Sequence, residues 1–184
     1  MSVYLGLIGK NGAGKTAVCD YLAQKGFAVY SLSDMVREEA SKQGLPNTRE
    51  NLIQVGNALK TKFGQVVLAE RSYQKALQNQ ENTFKIVFDS IRNLAEVLFL
   101  KGHGVRMIGV DAPIELRFSR IQERKRESDR IDFATFVHHD ELENSGKSSG
   151  QNISQCLPEC DLILQNTGDL TALYTQIDAL LLSL

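Results

Sequence analysis

Residues 3 to 16 read Val-Tyr-Leu-Gly-Leu-Ile-Gly-Lys-Asn-Gly-Ala-Gly-Lys-Thr, and this stretch decides the fold of the chain. Its apolar run from Val3 to Ile8 is typical of a buried strand. The pattern G-x-x-x-x-G-K-[ST] follows, with its fixed positions filled by Gly9, Gly14, Lys15 and Thr16. Apolar residues at helical spacing continue from Thr16 to Lys25, so a glycine-rich loop lies between a strand and a helix. This is the context that a P-loop requires.

The residue types in the loop suit the binding of nucleotide phosphates. Gly12 and Gly14 allow a positive φ, so successive backbone N–H groups can point at one anion, and the following helix adds its positive N-terminal end. Lys15 is placed to reach the β- and γ-phosphates, and the Thr16 hydroxyl to ligate Mg²⁺. We therefore expect ATP and Mg²⁺ as cofactors. The expected nucleotide-binding residues in this segment are Asn11, Gly12, Ala13, Gly14, Lys15, Thr16 and Ala17.

The composition indicates one α/β domain. The chain has 184 residues, of which 42% are hydrophobic and 23% charged, with a formal net charge of -1. A near-neutral charge argues against a broad nucleic-acid-binding surface. The apolar runs near both ends are too short for a signal peptide or a membrane span, so we expect a cytoplasmic protein, monomeric or homodimeric, without a membrane partner. Three cysteines, an odd number, are interpreted as reduced core thiols.

Further strand patterns occur at residues 27 to 30, 84 to 88, 105 to 110 and 161 to 165. Helical patterns separate them, which predicts a parallel sheet. Residues 33 to 80 carry only helical patterns and predict an all-helical insertion between the second and third strands. Residues 138 to 152 are polar and rich in turn formers, which predicts a mobile loop.

Two arginines and an aspartate follow the predicted second and third strands. Asp89 ends the third strand and suits the second Mg²⁺-organising position of a P-loop fold, although turn and capping aspartates occur at such places too. Arg92 comes directly after it. Arg37 lies in the first turn of a helix, where a cation opposes the helix dipole unless an anion is bound there. The alternative is an arginine that extends into water or pairs with Glu38 or Glu39.

The segment after the fourth strand is the most cationic part of the chain. Its cations are Arg117, Arg120, Arg124, Lys125, Arg126 and Arg130. In a nucleotide-binding protein, arginines spaced by one helical turn are interpreted as a phosphate clamp. The alternative is a solvated helix face, on which Glu115, Glu123 and Glu127 could pair with some of these cations.

Taken together, these residues resemble the nucleoside monophosphate kinase group of P-loop proteins, which includes adenylate kinases and dephospho-CoA kinases. Residues 31 to 37 resemble the family segment that opens the acceptor-binding helix. Residues 88 to 92 resemble the family's strand end Asp-Gly-(aromatic)-Pro-Arg, although they are one residue shorter and lack the Gly and the Pro. Residues 120 to 124 resemble the Arg-x-x-x-Arg pair at the lid entrance, and residues 161 to 168 the strand and turn beside the donor base.

The resemblance implies an α/β three-layer P-loop NTPase fold. It has a five-stranded parallel sheet in the order 2-3-1-4-5, a helical acceptor-binding insertion at 33–80 and a short helical lid within 117–150. The catalytic residues that it implies are Lys15, Asp89, Arg120 and Arg124. It places Thr16 and Asp89 at the metal, Arg120 and Asn166 at the donor nucleotide, and Asp34, Arg37 and Arg92 at the acceptor.

We therefore expect an enzyme that transfers a phosphoryl group from ATP to a nucleoside or deoxynucleoside monophosphate. A dephospho-CoA kinase is the first alternative; its hydroxyl acceptor would require a general base, for which Asp34 is the candidate. A non-catalytic regulator that retains the P-loop is the second. A nucleic-acid-processing ATPase is the third, and the near-neutral charge disfavours it.

Overall fold

The chain alternates strands and helices in the computed structural model, which describes residues 2–79, 84–124, 131–144 and 152–184. The strands are β1 (Val3–Gly9), β2 (Ala28–Ser31), β3 (Lys85–Asp89), β4 (Arg106–Asp111) and β5 (Leu162–Gln165). The helices are α1 (Lys15–Gln24), α2 (Leu32–Lys42), α3 (Arg49–Phe63), α4 (Val67–Gln78), α5 (Leu94–Gly102), α6 (Ile114–Glu123), α7 (Phe133–Asn144), α8 (Ile153–Cys156) and α9 (Leu170–Leu182). The strands form one parallel sheet in the order β2-β3-β1-β4-β5, so the predicted order is confirmed.

The central strands are apolar on both faces. In β1, Leu5 and Leu7 pack into one core cluster and Ile8 into another, and all three are fully buried. Such strands need helices on both sides, because both faces carry side chains that avoid water. Helices α1 and α9 cover one face, and α2 to α5 with α8 cover the other. The predicted three-layer architecture is therefore confirmed.

Helices α2, α3 and α4 lie between β2 and β3 and correspond to the predicted helical insertion. The Thr48 hydroxyl accepts a hydrogen bond from the Asn51 amide at the start of α3, and Gly64 ends the helix with a φ of 98°, which only glycine adopts without strain. Helix α2 packs against both α3 and α4. The role of this insertion in acceptor binding stays a prediction.

The prediction of a mobile loop at residues 138 to 152 was wrong for its first part, which belongs to helix α7. Residues 138 to 144 are helical, and residues 145 to 151 lie outside the described residues. The inward face of α7 carries Phe136 and Asp140, which are 2% and 7% exposed. A buried aspartate breaks the apolar periodicity on which recognition of a helix from sequence depends. His138 and His139 lie on the exposed face of this helix.

At the end of the chain, α9 packs on α1. The rings of Tyr21 and Tyr174 stack with their centroids 4.0 Å apart, and the Tyr21 hydroxyl donates to Asp178 over 2.7 Å. No helix among the described residues combines the length and the apolar character needed to cross a bilayer. Because the sheet is parallel, the carboxyl ends of all its strands lie at one edge, and the loops that follow them meet there.

Candidate functional site

The glycines of the loop after β1 adopt the backbone that a phosphate-binding loop needs. Gly12 has a φ of 78°, and Gly14, at the N-terminus of α1, has a φ of 107°. A Cβ atom on Gly12 would lie 2.5 Å from the Arg117 carbonyl oxygen, and one on Gly14 would lie 2.2 Å from Nδ2 of Asn166. Both positions therefore require glycine, for the positive φ and for the close approach.

Lys15 lies folded against this loop. Its Nζ atom donates to the carbonyl oxygens of Gly9 over 2.6 Å and Lys10 over 3.2 Å. The ammonium group is thus held within the turn of the loop, beside the backbone that would surround a phosphate. An anion that binds in the loop would be next to this charge.

Asp89 lies at the carboxyl end of β3, the strand that pairs with β1. Its Oδ2 accepts a hydrogen bond from the Ser90 hydroxyl over 3.2 Å, whereas its Oδ1 is buried and has no hydrogen-bond partner in the described part of the chain. A buried carboxylate oxygen without a partner is costly, and a metal ion with its water shell would satisfy it. Asp89 and its neighbourhood therefore fit Mg²⁺.

Ser90 has a φ of 63°, which is rare for a residue with a side chain. Its hydroxyl accepts a hydrogen bond from Ser31 at the end of β2 over 2.9 Å. Ser90 stands at the position where the kinase pattern that the sequence resembles has glycine, the residue that adopts a positive φ most easily. Strained residues of this kind concentrate at functional sites, because the surrounding structure must hold them in place.

Arg120 and Asn166 contact each other beside the loop. Nη2 of Arg120 donates to the backbone oxygen and to Oδ1 of Asn166 over 3.0 and 3.1 Å, and Nδ2 of Asn166 donates to the Ala13 carbonyl over 2.8 Å. Nη1 of Arg120 is buried and has no hydrogen-bond partner within the described ranges. Burial lowers the pKa of Arg120 from its usual value. A hydrogen-bond acceptor on a ligand bound here would satisfy Nη1 of Arg120.

Arg117 corrects the interpretation of the cationic segment as a row of phosphate-binding arginines. It is 2% exposed, and its guanidinium forms two hydrogen bonds with Asp140 of α7, over 2.7 and 3.0 Å. It also donates to the carbonyl oxygens of Ala112 and Asn11. Because a carboxylate already occupies the planar fork of the guanidinium, Arg117 is a structural link between α6, α7 and the loop.

Arg124, at the end of α6, lies at the mouth of the same loop. Its Nη2 donates to Oδ1 of Asn11 over 3.0 Å, and its side chain is exposed. The remaining cations of the segment, at residues 125 to 130, lie outside the described residues. Arg120 and Arg124 therefore approach the loop from one helix.

A cavity of about 600 Å³ opens beside the loop, between α2, α3 and α7. Lys15, Arg37, Arg92 and Arg124 all line it, so the cavity joins residues from four segments of the chain. Arg37 pairs with Asp34 over 2.7 Å and donates to the Ser33 hydroxyl over the same distance. The sequence suggested Glu38 or Glu39 as an ion-pair partner of Arg37, whereas the observed partner is Asp34. The roles of these residues toward a ligand stay predictions.

Two residues of the cavity wall carry charges that sequence analysis did not assign to the site. Lys60 of α3 and Glu96 of α5 both line the cavity, and Nζ of Lys60 lies 3.7 Å from Oε1 of Glu96. Glu96 caps the start of α5, because its Oε2 accepts hydrogen bonds from the amides of Arg92 and Asn93. Its four-residue spacing from Arg92 is the signal that could have placed it at the site.

Comparisons with known proteins agree with this fold. A family model described as an AAA domain matches residues 5–157. A UPF0200/UPF0201 protein of Archaeoglobus fulgidus is 30% identical over 98% of this chain, which spans 55% of the length of that relative. A UPF0200 protein of Methanococcus maripaludis is 31% identical over 76% of each of the two chains.

Solved structures with low identity share the architecture. A crystal structure of a Thermus thermophilus protein aligns with a TM-score of 0.65 at 19% identity, and the alignment covers 100% of this chain and 98% of the Thermus chain. A shikimate kinase from Acinetobacter baumannii, in complex with shikimate, has a TM-score of 0.58 at 18% identity, with 100% and 94% coverage. At such identities the likeness shows the fold alone, which is that of a P-loop kinase.

Proposed function

The chain belongs to the AAA domain family and to the UPF0200 proteins, and from this premise we propose that it transfers a phosphoryl group from ATP to a small phosphorylated acceptor. The acceptor that we propose is a nucleoside or deoxynucleoside monophosphate. One observation carries the proposal: Lys15, Arg37, Arg92 and Arg124 line a single cavity in a chain of net charge -1. Such cations bind phosphate groups through charge-assisted hydrogen bonds, and the proposed reaction brings two phosphorylated substrates together at one place.

The donor site is proposed at the P-loop. The backbone amides of the loop, the start of α1 and the Lys15 ammonium group bind the phosphates, and Arg120 with Asn166 borders the donor base. Thr16 and Asp89 would hold Mg²⁺, and the buried, unpartnered Oδ1 of Asp89 supports that assignment. Mg²⁺ held by these residues would neutralise negative charge on the phosphates during transfer.

Catalysis is proposed to depend on positioning and on charge stabilisation. Phosphoryl transfer requires little covalent chemistry from the protein, because the reacting oxygens need mainly to be aligned and their charge neutralised. Lys15 and Arg124 both line the cavity and are proposed to supply that charge. A phosphate acceptor is already an anion at neutral pH, so it requires no general base.

The ion pair between Asp34 and Arg37 favours a phosphate acceptor over a hydroxyl acceptor. In a dephospho-CoA kinase, Asp34 would be the candidate base, but its Oδ1 accepts a hydrogen bond from Arg37 over 2.7 Å. A general base must lie within reach of the proton that it accepts, whereas this carboxylate contacts the guanidinium of Arg37. With the acceptor phosphate between them, Arg37 and Arg92 hold the nucleophilic oxygen toward the P-loop.

A substrate panel tests the proposal. The protein is incubated with ATP and Mg²⁺ and with each nucleoside monophosphate, deoxynucleoside monophosphate, dephospho-CoA or shikimate in turn, and ADP formation is measured. We expect turnover with at least one monophosphate. Turnover with dephospho-CoA or shikimate alone would establish a hydroxyl acceptor, and nucleotide binding without any transfer would establish the non-catalytic regulator.

A further inference from the structure

One face of helix α3 forms a wall of the cavity. Its lining residues are Arg49, Leu52, Ile53, Gly56, Asn57 and Lys60. Their spacing of three and four residues places them along a single stripe, which runs the length of the helix. Lys60 is the last cation along this stripe, and it lies at the end of the wall that meets α5.

Glu96 of α5 lies at that end of the wall and contacts both Lys60 and the backbone of Arg92. The Glu96 side chain is 2% exposed, and its Oε2 accepts hydrogen bonds from the amides of Arg92 over 2.9 Å and Asn93 over 3.3 Å. The same carboxylate therefore fixes the backbone of Arg92 and faces the ammonium group of Lys60. Arg92 and Lys60 belong to one corner of the cavity.

The contact between Lys60 and Glu96 leaves the ammonium group able to serve a ligand. The two atoms are 3.7 Å apart, which is too long for a hydrogen bond, so Lys60 stabilises the carboxylate by charge alone. The Lys60 side chain is 12% exposed and lines the cavity. An ammonium group has three donors, which an acceptor phosphate can use without disturbing the cap of α5.

We propose that Lys60 is a further acceptor-binding residue, which contacts the anionic group of the acceptor beside Arg92. The buried Glu96 carboxylate holds the Lys60 ammonium group at the cavity wall. This inference rests on the proposed function, because it adds a residue to the same acceptor site. It predicts that the site distinguishes phosphorylated from unphosphorylated acceptors by three cations, Arg37, Lys60 and Arg92.

The test compares three variants with the wild-type protein. Lys60→Met alone would leave the buried Glu96 charge unpaired and could unfold the chain, so Lys60→Met is combined with Glu96→Gln, since glutamine can still cap α5. Lys60→Arg keeps the charge. Lys75→Met is the matched control, because Lys75 pairs with Glu38 in the same helical insertion outside the cavity. Calorimetry measures binding of AMP, CMP, GMP and UMP, and of ATP separately.

In the double variant we expect the affinity for the best-binding monophosphate to fall at least tenfold, with ATP affinity within twofold of wild type. The acceptor KM should rise by a similar factor while kcat changes less, Lys60→Arg should recover most of the affinity, and Lys75→Met should match wild type. If the double variant folds and binds the monophosphate as tightly as wild type, the role of Lys60 is overturned and the proposed acceptor is not. A wild-type protein that binds ATP but none of the four monophosphates, nor any deoxynucleoside monophosphate in the same titration, would overturn the proposed acceptor and this inference together.

Discussion

At the scale of single residues, the positions of the loop glycines could be predicted from sequence and the structural role of Arg117 could not. The P-loop residues are contiguous, so their spacing carries the whole geometric requirement. Arg117 shares the one-turn spacing of Arg120 and Arg124, but its partner Asp140 lies in another helix. Sequence periodicity describes one helix face and does not show which opposite charge a tertiary contact brings to it.

Lys15 is the residue whose replacement should affect transfer most. Its ammonium group lies within the loop, so Lys15→Ala removes a charge at the donor phosphates without removing core packing. We expect ADP formation to fall by at least about 100-fold, as for the loss of other transition-state donors, with the melting temperature near that of wild type. Lys25→Ala, which removes a surface lysine paired with Asp178, is the control. Equal losses in both variants would contradict the role given to Lys15.

Cys19 should make stability fall at high pH. Burial, followed by the charges of Asp89 and Asp20, raises the pKa of its thiol to about 12 from 9.0. Because the folded-state pKa is raised, this stabilising contribution is complete below pH 9 and is lost as the pH rises toward 12. Cys19→Ala loses core packing at every pH, but its deficit in unfolding free energy should narrow above pH 9, by up to about 1.4 kcal/mol per pH unit.

Denaturant titrations between pH 8 and pH 11 measure this change. Leu22→Ala, in the same core cluster but without a titrating group, should keep a constant deficit over the same range. A constant deficit for Cys19→Ala would show that its thiol ionises alike in the folded and unfolded chains.

At the scale of secondary-structure elements, strands were easier to predict than the helices beside the site. Each strand is a short apolar run, which the sequence displays directly. The strand order came from the resemblance to a kinase group, since strand patterns alone do not give the order of pairing. Helix α7 was partly missed because its inward face includes Asp140, whose burial depends on a partner in α6.

The ion pair between Arg117 of α6 and Asp140 of α7 should contribute strongly to the free energy of unfolding. Asp140→Ala leaves a guanidinium buried without its carboxylate, so we expect the free energy of unfolding to fall by roughly 3 kcal/mol or more. Replacing both residues, as Arg117→Met with Asp140→Leu, should recover most of that loss because no buried charge then remains. Glu159→Ala breaks the more exposed pair with Lys101 and should cost less than about 1 kcal/mol. Urea titrations measure all three.

At the scale of the whole molecule, the cavity was the hardest feature to predict. Its cations come from the P-loop, α2, α3, the β3–α5 connection and α6. The resemblance indicated Arg37 and Arg92, but nothing in the sequence brings Lys60 to Glu96, because that contact depends on how α3 packs across the mouth of the sheet. The net charge of -1 gave no sign of a local cationic concentration.

Arg37 and Arg92 should act on one acceptor phosphate. Each Arg→Ala change should raise the acceptor KM about tenfold or more, the size expected for a lost charge-assisted hydrogen bond, with little change in ATP affinity. The double variant should be non-additive because both residues share one ligand. Steady-state kinetics with the best acceptor measures the effect, and Arg71→Ala, whose partner is Glu39, is the control. Additive effects, or an equal loss of ATP affinity, would contradict a shared phosphate.

The hydrogen bond from Asn166 to the P-loop has a consequence for folding during synthesis. The P-loop leaves the ribosome well before Asn166, which lies 153 positions after Ala13, yet the Asn166 amide donates to the Ala13 carbonyl. Asn166 follows β5, the strand at the edge of the sheet that pairs with β4. A nascent chain that stops before β5 lacks this hydrogen bond, so we expect the loop to reach its full nucleotide affinity only after β5 has been translated.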